Sequence, residues 1–121
     1  SKSKCPAAYI CNMLAETMNE AMGIKRSPEE LEAGLESIEY LMSVCDKLWY
    51  DPEVSVYESY SLRSMLTIAK AGIMSAIART ESRGAHFRVD YPERNDEMAG
   101  PTIAEMIDGE IRISILRRTN P

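Results

Sequence analysis

Residues 27–50, SPEELEAGLESIEYLMSVCDKLWY, carry the pattern that decides the fold. Ser27 is suited to cap a helix, Pro28 to take its first position and Glu30 to complete a capping box. Apolar residues then recur in alternating steps of four and three: Leu31, Leu35, Ile38, Met42, Cys45 and Trp49. This a/d spacing predicts a helix that packs along a seam against other helices. It should end near Tyr50, because the next two residues, Asp-Pro, disfavour helix.

Two further helices are predicted, one before and one after this helix in the sequence. The first covers residues 7–22, with Gly23 suited to follow its end. Its helically spaced apolar residues are Ile10, Met13, Leu14, Met18, Ala21 and Met22. The third covers residues 56–82, and Gly84 is placed to stop it. Its seam consists of Leu62, Leu66, Ala69, Ile73, Ala76 and Thr80.

Small residues make the middle of the third helix thin. They are Ala69, Ala71, Gly72, Ser75, Ala76 and Ala78. A glycine inside a helix costs on the order of 1 kcal/mol relative to alanine, and close packing of a neighbouring backbone would compensate for that cost. We therefore expect Gly72→Leu to destabilise the bundle by overpacking.

Residues 102–115, TIAEMIDGEIRISI, have the pattern of a β-hairpin. Asp108 and Gly109 form a type I′ turn signal, and isoleucines alternate with polar residues after it. The sequence therefore predicts a mainly α protein, an antiparallel three-helix bundle arranged like a spectrin repeat, with a C-terminal β-hairpin. The bundle and the charged segment that follows it should occupy residues 1–97. Residues 98–121 should form a tail whose hairpin packs on the bundle or on an absent domain.

Composition narrows the class of protein. The chain has 121 residues and a net charge of −5, which argues against a nucleic-acid binder. No apolar run is long enough to span a bilayer, and no signal peptide is visible. The missing initiator Met suggests a processed or excised piece. Three cysteines without C-x-x-C spacing argue against a disulfide framework or a zinc site, and favour reduced thiols in the cytoplasm.

Residues 79–96, RTESRGAHFRVDYPERND, form a segment in which charges crowd around the only histidine, His86. We call it the charged segment. A Ser-His-Asp arrangement could form only around His86, and a metal site there would need Glu81, Asp90 and Glu93 as ligands. The arginines among them would compete for those carboxylates. A network of ion pairs and hydrogen bonds at a helix end is therefore predicted, with a solvated charge cluster as the alternative, and no catalytic, cofactor-binding or metal-ligating residue is assigned.

The charged segment resembles the R-x-E-S-R-G-A-H-x-R-x-D-(Y/F)-P-x-R-(D/N)-D signature of the flavoprotein subunits of succinate dehydrogenase and fumarate reductase. Residues 23–41, GIKRSPEELEAGLESIEYL, are similar to the second bundle helix of that family. Residues 62–84, LRSMLTIAKAGIMSAIARTESRG, are similar to its third. The resemblance extends over roughly residues 9–97, and the tail resembles the family's strand-forming end only loosely.

The resemblance implies a C-terminal helical domain of a larger enzyme that binds FAD on another domain and interconverts succinate and fumarate. No catalytic position of the family maps onto this sequence, so the chain alone should be inactive and hold no FAD. The implied partners are the flavin-binding domain of the same parent chain and an iron–sulfur subunit, with partner subunits placing the complex at the cytoplasmic face of the membrane.

Two alternatives to this assignment stay open. One is L-aspartate oxidase, a relative with the same domains that usually has Leu where Ala85 stands. The other is a free-standing helical interaction module without catalysis.

In such a parent, the charged segment becomes a candidate contact between domains. The proposed contact residues are Arg79, Glu81, Ser82, Arg83, Gly84, His86, Arg88 and Asp90. Because the partner surface would be missing here, Arg83 and Arg88 are expected to be more exposed in this chain than in the parent. Replacing either with alanine should hardly change the stability of this chain, but should cost several kcal/mol in the parent.

Overall fold

The computed structural model describes residues 6–48 and 54–116. Its elements, in chain order, are α1 (Pro6–Ala21), α2 (Pro28–Leu48), α3 (Val56–Ala78), a one-turn 3-10 helix (Asp96–Met98), β1 (Thr102–Ile107) and β2 (Glu110–Ile115). The predicted class is confirmed: three helices pack on one another and an antiparallel hairpin follows. Trp49 and Tyr50, the expected end of the second helix, lie outside the described residues.

Neighbouring helices run antiparallel. Near the end of α1, Ala21 contacts Gly34 close to the start of α2. At the other end of α2, Cys45 lies against the start of α3, where its thiol donates to the carbonyl of Ser59 over 3.6 Å. Two ion pairs on the surface join α2 to α3, Asp46 with Arg63 and Glu39 with Lys70. The residue number falls along α2 as it rises along α3, as in an antiparallel pair.

Ser27 caps the start of α2 as its sequence predicts, although the carboxylate of Glu30 accepts from the Ser27 hydroxyl and not from its backbone N–H. The hydroxyl of Ser27 accepts the backbone N–H of Glu30 over 3.1 Å. It donates in turn to the carboxylate of Glu30 over 3.0 Å. The start of α3 uses Ser55 in the same way, accepting from the backbone N–H of Glu58 over 3.0 Å. Both caps satisfy an N–H group that has no partner within the helix.

The buried seam of α2 differs from the predicted one. The observed buried positions are Leu31, Gly34, Ile38, Leu41, Cys45 and Leu48. Leu35 and Met42, which were expected in the seam, are only partly buried. Both sets advance by threes and fours, so the spacing alone did not distinguish them. The observed set includes Gly34, where a Cβ would lie 2.6 Å from that of Ala21, so α1 and α2 approach each other closely at this glycine.

The close approach predicted at Gly72 is wrong. Nothing lies within 4 Å of the position that its Cβ would occupy. Five of the six seam positions expected in α3, from Leu62 to Ala76, are buried as predicted, and the sixth, Thr80, lies beyond the end of the helix. Among the described residues, Gly72 therefore does not mark a helix crossing.

The end of α3 also differs from the prediction. The helix ends at Ala78, with Arg79 as its C-cap, rather than at Ser82. Gly84, with φ of +58°, lies instead in a tight turn in which the backbones of Arg83 and His86 exchange two hydrogen bonds. The helix stops early because the side chain of Arg88 takes up the carbonyl groups of Ala76 and Ile77.

The hairpin forms where the sequence predicts it. Asp108 and Gly109 have φ of 52° and 80°, as a type I′ turn requires, and they join Ile107 to Glu110. Both strands contact α3, so the hairpin packs on the bundle. The division of the chain at residue 97 stays a prediction.

Two free cysteines are described, Cys11 exposed and Cys45 buried, and Cys5 lies outside the described residues. Burial raises the pKa of the Cys45 thiol, although the charge of Arg63 opposes the effect. In the parts of the chain that the structure describes, no helix combines the length and apolar character needed to cross a bilayer.

Candidate functional site

The charged segment folds back against the loop between α1 and α2. The backbone N–H of Arg26 donates to Phe87 over 2.8 Å, and the N–H of Val89 donates to the carbonyl of Arg26 over 2.9 Å. A further backbone bond from Ser82 to Glu93 closes the segment on itself. These bonds bring the end of α3, the helix-joining loop and the segment together.

Arg88 caps the C-terminus of α3 from the side. Its guanidinium donates to the carbonyls of Ala76 and Ile77 over 3.0 and 2.9 Å. The other two nitrogens donate to both carboxylate oxygens of Asp90 over 2.9 and 2.6 Å. The guanidinium lies over the ring of Tyr91, and only 4% of Arg88 is exposed. A cation at this end of a helix also interacts favourably with the helix dipole.

Glu81 is the most deeply buried charged residue of the segment, with 0% exposure. Its carboxylate accepts from Arg79 over 2.5 Å, from Arg83 over 3.0 and 3.2 Å and from the backbone N–H of Asn95 over 2.7 Å. Burial raises the pKa of Glu81, but the hydrogen bonds from Arg83, Asn95 and Arg79 outweigh it and lower that pKa to about 2. This carboxylate is therefore ionised at neutral pH.

Arg79 ties the charged segment to the tail. Besides Glu81, its guanidinium donates to the carbonyls of Met98 and Gly100 over 2.6 and 2.8 Å. It also donates to the hydroxyl of Thr102, the first residue of β1, over 3.1 and 2.8 Å. One side chain at the end of α3 thus fixes the path of the chain into the hairpin.

Both ring nitrogens of His86 are occupied. Nε2 lies 3.0 Å from the carbonyl of Arg79, which can only accept, and Nδ1 lies 2.8 Å from a guanidinium nitrogen of Arg26, which can only donate. The neutral ring with its proton on Nε2 satisfies both partners. Burial, helped by the charges of Arg26, Arg88 and Arg79, lowers the pKa of His86, and the bond to the Arg79 carbonyl opposes this.

Ser82 and Asp90 complete the internal bonds of the segment. The Ser82 hydroxyl accepts the backbone N–H of Arg88 over 2.9 Å and donates to the carbonyl of Tyr91 over 2.7 Å. The bonds from Arg88 lower the pKa of Asp90. No nucleophile and base are paired among these residues, and the Glu81 and Asp90 carboxylates are held by arginines. The arrangement is suited to hold structure together.

The structure thus brings together all eight residues that the sequence marked. It confirms a network of ion pairs and hydrogen bonds at a helix end. Arg88 is nevertheless buried in this chain, because the end of α3 supplies acceptors for it, and its exposure relative to the parent stays a prediction. Contact with another domain stays a prediction, and Gly84 and Asp90 are the exposed members of the eight.

Among the partners of the network that sequence reasoning missed are Arg26 and the backbone of Asn95. Arg26 lies in a loop, where no periodic pattern singles out a charged residue. The Asn95 bond uses a backbone N–H, which every residue except proline carries. Of these two partners, only Arg26 has a feature that the sequence shows. It is an arginine directly before Ser27, the cap of α2.

Comparison with known proteins decides the family. The family model for the fumarate reductase flavoprotein C-terminus matches residues 11–115. The chain belongs to the succinate dehydrogenase and fumarate reductase flavoprotein family. Within that family it corresponds to the C-terminal domain, which agrees with the resemblance in the charged segment.

Curated relatives and a solved structure agree with this assignment. The chain is 37% identical over 95 residues to the fumarate reductase flavoprotein subunit of Helicobacter pylori, covering 73% of this chain and 13% of that protein. It is 38% identical over 92 residues to the succinate dehydrogenase flavoprotein subunit of Rickettsia bellii, covering 69% and 15%. A mutant of E. coli quinol fumarate reductase FrdA superposes with a TM-score of 0.77 and 29% identity, over 95% of this chain and 22% of that one.

The chain therefore spans about an eighth of the first of these relatives. The L-aspartate oxidase of Rhodospirillum rubrum is also related, at 38% identity over 86 residues, 71% of this chain and 26% of that protein. The family model and the solved structure both carry the name of fumarate reductase, so the flavoprotein subunit is favoured over L-aspartate oxidase.

Proposed function

We propose that this chain is a structural domain of an FAD-dependent parent enzyme that interconverts succinate and fumarate. FAD and substrate are bound by the rest of the parent chain, which this domain supports. The domain also helps to dock an iron–sulfur subunit, and partner subunits place the assembly at the cytoplasmic face of a membrane. The names of the relatives from Helicobacter pylori and Rickettsia bellii support the chemistry assigned to the parent.

One observation supports a structural role for the domain itself. The charged segment contains the only histidine of the chain, and its buried ionisable groups are used in internal bonds. Glu81 and Arg88, the two most buried of them, have several partners each, and breaking those bonds to do chemistry would leave a charge unpaired in a dry site. The segment therefore holds the end of the bundle in one shape.

The proposal is tested by comparing the full-length parent with the 121-residue chain. Flavin absorbance and succinate-dependent reduction of an artificial electron acceptor are measured for both. We expect a yellow, active parent and a colourless, inactive chain. Stoichiometric flavin in the 121-residue chain would contradict the proposal that the rest of the parent chain binds FAD. A flavin-loaded parent that oxidises L-aspartate and not succinate would contradict the assigned reaction.

A further inference from the structure

One side of α3 faces solvent without any charge. Opposite the buried seam the helix presents Tyr57, Tyr60, Ser64 and Ile68 at steps of three and four, and we call these four residues the α3 outer face. The exposed fractions are 80% for Tyr57, 67% for Tyr60 and 73% for Ile68. A surface helix normally places charged residues opposite its core, and a helix that is apolar on both sides is typical of a buried position.

The outer side of α2 provides the contrast within the same bundle. Its exposed positions carry the glutamates Glu29, Glu32, Glu36 and Glu39, at the same helical steps. Solvation alone would favour such residues on α3 as well. Between α2 and α3, which pack on each other, the absence of charge is therefore particular to α3.

The elements that pack on α3 leave the α3 outer face open. The core side of the helix contacts α1 and α2. The hairpin approaches another side, where Arg63, Thr67 and Lys70 line a cleft shared with Met106 and Ile111. Nothing in residues 6–48 and 54–116 covers Ile68, which is the most exposed large apolar side chain of the three helices after Tyr57.

We infer that the α3 outer face docks the preceding part of the parent flavoprotein chain, through an uncharged and apolar patch on that part. The inference rests on the proposed function, because it takes this chain to be one domain of a larger flavoprotein. The match covers only 13% of the Helicobacter pylori subunit, and the family model describes a C-terminal portion, so the occupant is a large folded body of the same polypeptide. Charged residues are depleted at the centre of such interfaces, while tyrosine is enriched.

The two tyrosines suit this use. Each offers a large apolar ring with few rotatable bonds, and a hydroxyl that can form a hydrogen bond at the edge of the contact. Because Tyr57 and Tyr60 are one turn apart, they make a continuous surface along the helix. Ser64 adds no bulk between Tyr60 and Ile68, which permits close approach.

Tyr60→Lys tests the inference, with Tyr40→Lys as the matched control. Tyr40 lies on α2 and is 60% exposed, against 67% for Tyr60, so both changes place a charge at an equally open helical site. Both variants are made in the 121-residue chain and in the full-length parent. Protease release of the C-terminal domain from the parent is the main readout, because it needs neither flavin nor substrate.

In the parent, we expect Tyr60→Lys to speed release of the domain by at least about tenfold, because a lysine would be forced into a dry contact. Tyr40→Lys should leave the rate at the wild-type value, and neither change should alter the melting midpoint of the 121-residue chain. Ile68→Lys repeats the test with a second pair. Its control is Ile24→Lys, at a residue that is 89% exposed.

Three outcomes would overturn the inference. Tyr60→Lys and Tyr40→Lys could behave alike in a flavin-loaded parent. Tyr60→Lys could melt the 121-residue chain as much as the parent, which would assign the residue to the fold of the domain. Sedimentation could show a dimer of the 121-residue chain that Tyr60→Lys dissociates, which would assign the face to a second copy. A wild-type parent without flavin would instead contradict the proposed function.

Discussion

Glu81 shows why a charge can be buried at the end of this bundle. Removing a carboxylate from water costs several kcal/mol unless charged partners surround it. Here two arginines and one backbone N–H surround it, and the pKa falls to about 2 from an ordinary value of 4.5. The folded state therefore favours the ionised form. The stability that Glu81 contributes is complete above about pH 4.5 and is lost as the pH falls towards 2.

We therefore expect the melting midpoint of the chain to fall steeply in that acid range. Glu81→Gln should lose roughly 3 kcal/mol at pH 7, because it leaves Arg79 and Arg83 without their anion, and its midpoint should vary less with pH below 4.5. Glu93→Gln, which changes an exposed carboxylate of the same segment, is the control and should follow the wild type. Melting curves by circular dichroism across this pH range decide the matter. A wild-type pH profile for Glu81→Gln would show that the carboxylate is not linked to folding.

For individual residues, the sequence predicted the kind of interaction in the charged segment better than it predicted which groups interact. The alternation of arginines and acids in the charged segment was enough to predict ion pairs. It did not reveal that Arg88 binds the carbonyls of Ala76 and Ile77, because backbone acceptors leave no mark in the sequence. The same reason hid the bond from Asn95 to Glu81.

The periodicity of apolar residues predicted how many helices the chain has and roughly where each begins and ends. It did not predict every contact between them. Apolar residues at threes and fours defined α1, α2 and α3, yet in α2 two overlapping seams fitted the pattern. Gly34 belongs to the buried one and has no side chain to show it. Close packing was predicted at Gly72, because its helix is rich in small residues, but it is found at Gly34. A glycine marks an interhelical contact only when a neighbouring element lies over it, and that depends on the fold.

Alanine at these two glycines should have opposite effects on stability. Gly34→Ala places a Cβ 2.6 Å from that of Ala21, so α1 and α2 must move apart, at a cost of roughly 1–3 kcal/mol. Gly72→Ala meets nothing within 4 Å and improves helix propensity, so it should stabilise the chain by about 0.5–1 kcal/mol. Urea unfolding of both variants measures the difference. Equal changes in the free energy of unfolding would mean that α1 and α2 do not meet at Gly34.

For the molecule as a whole, the charged segment acts as an internal clasp. It joins the loop at Arg26, the end of α3 and the start of β1 through the side chains of His86, Arg88 and Arg79. The three-helix class followed from sequence periodicity, and the segment itself identified the family. The clasp could not be predicted, because it depends on where α3 stops and how the tail returns.

The free energy of unfolding of Arg88→Ala in the 121-residue chain, compared with that of Arg94→Ala, tests this account most directly. Both changes remove an arginine from the charged segment, but Arg94 is exposed while Arg88 is 4% exposed and holds Asp90 and two carbonyls of α3. We expect Arg88→Ala to lose roughly 3 kcal/mol, because it strands those acceptors, and Arg94→Ala to change by less than about 0.5 kcal/mol. If both variants unfold at the wild-type denaturant concentration, the charged segment does not hold the domain together.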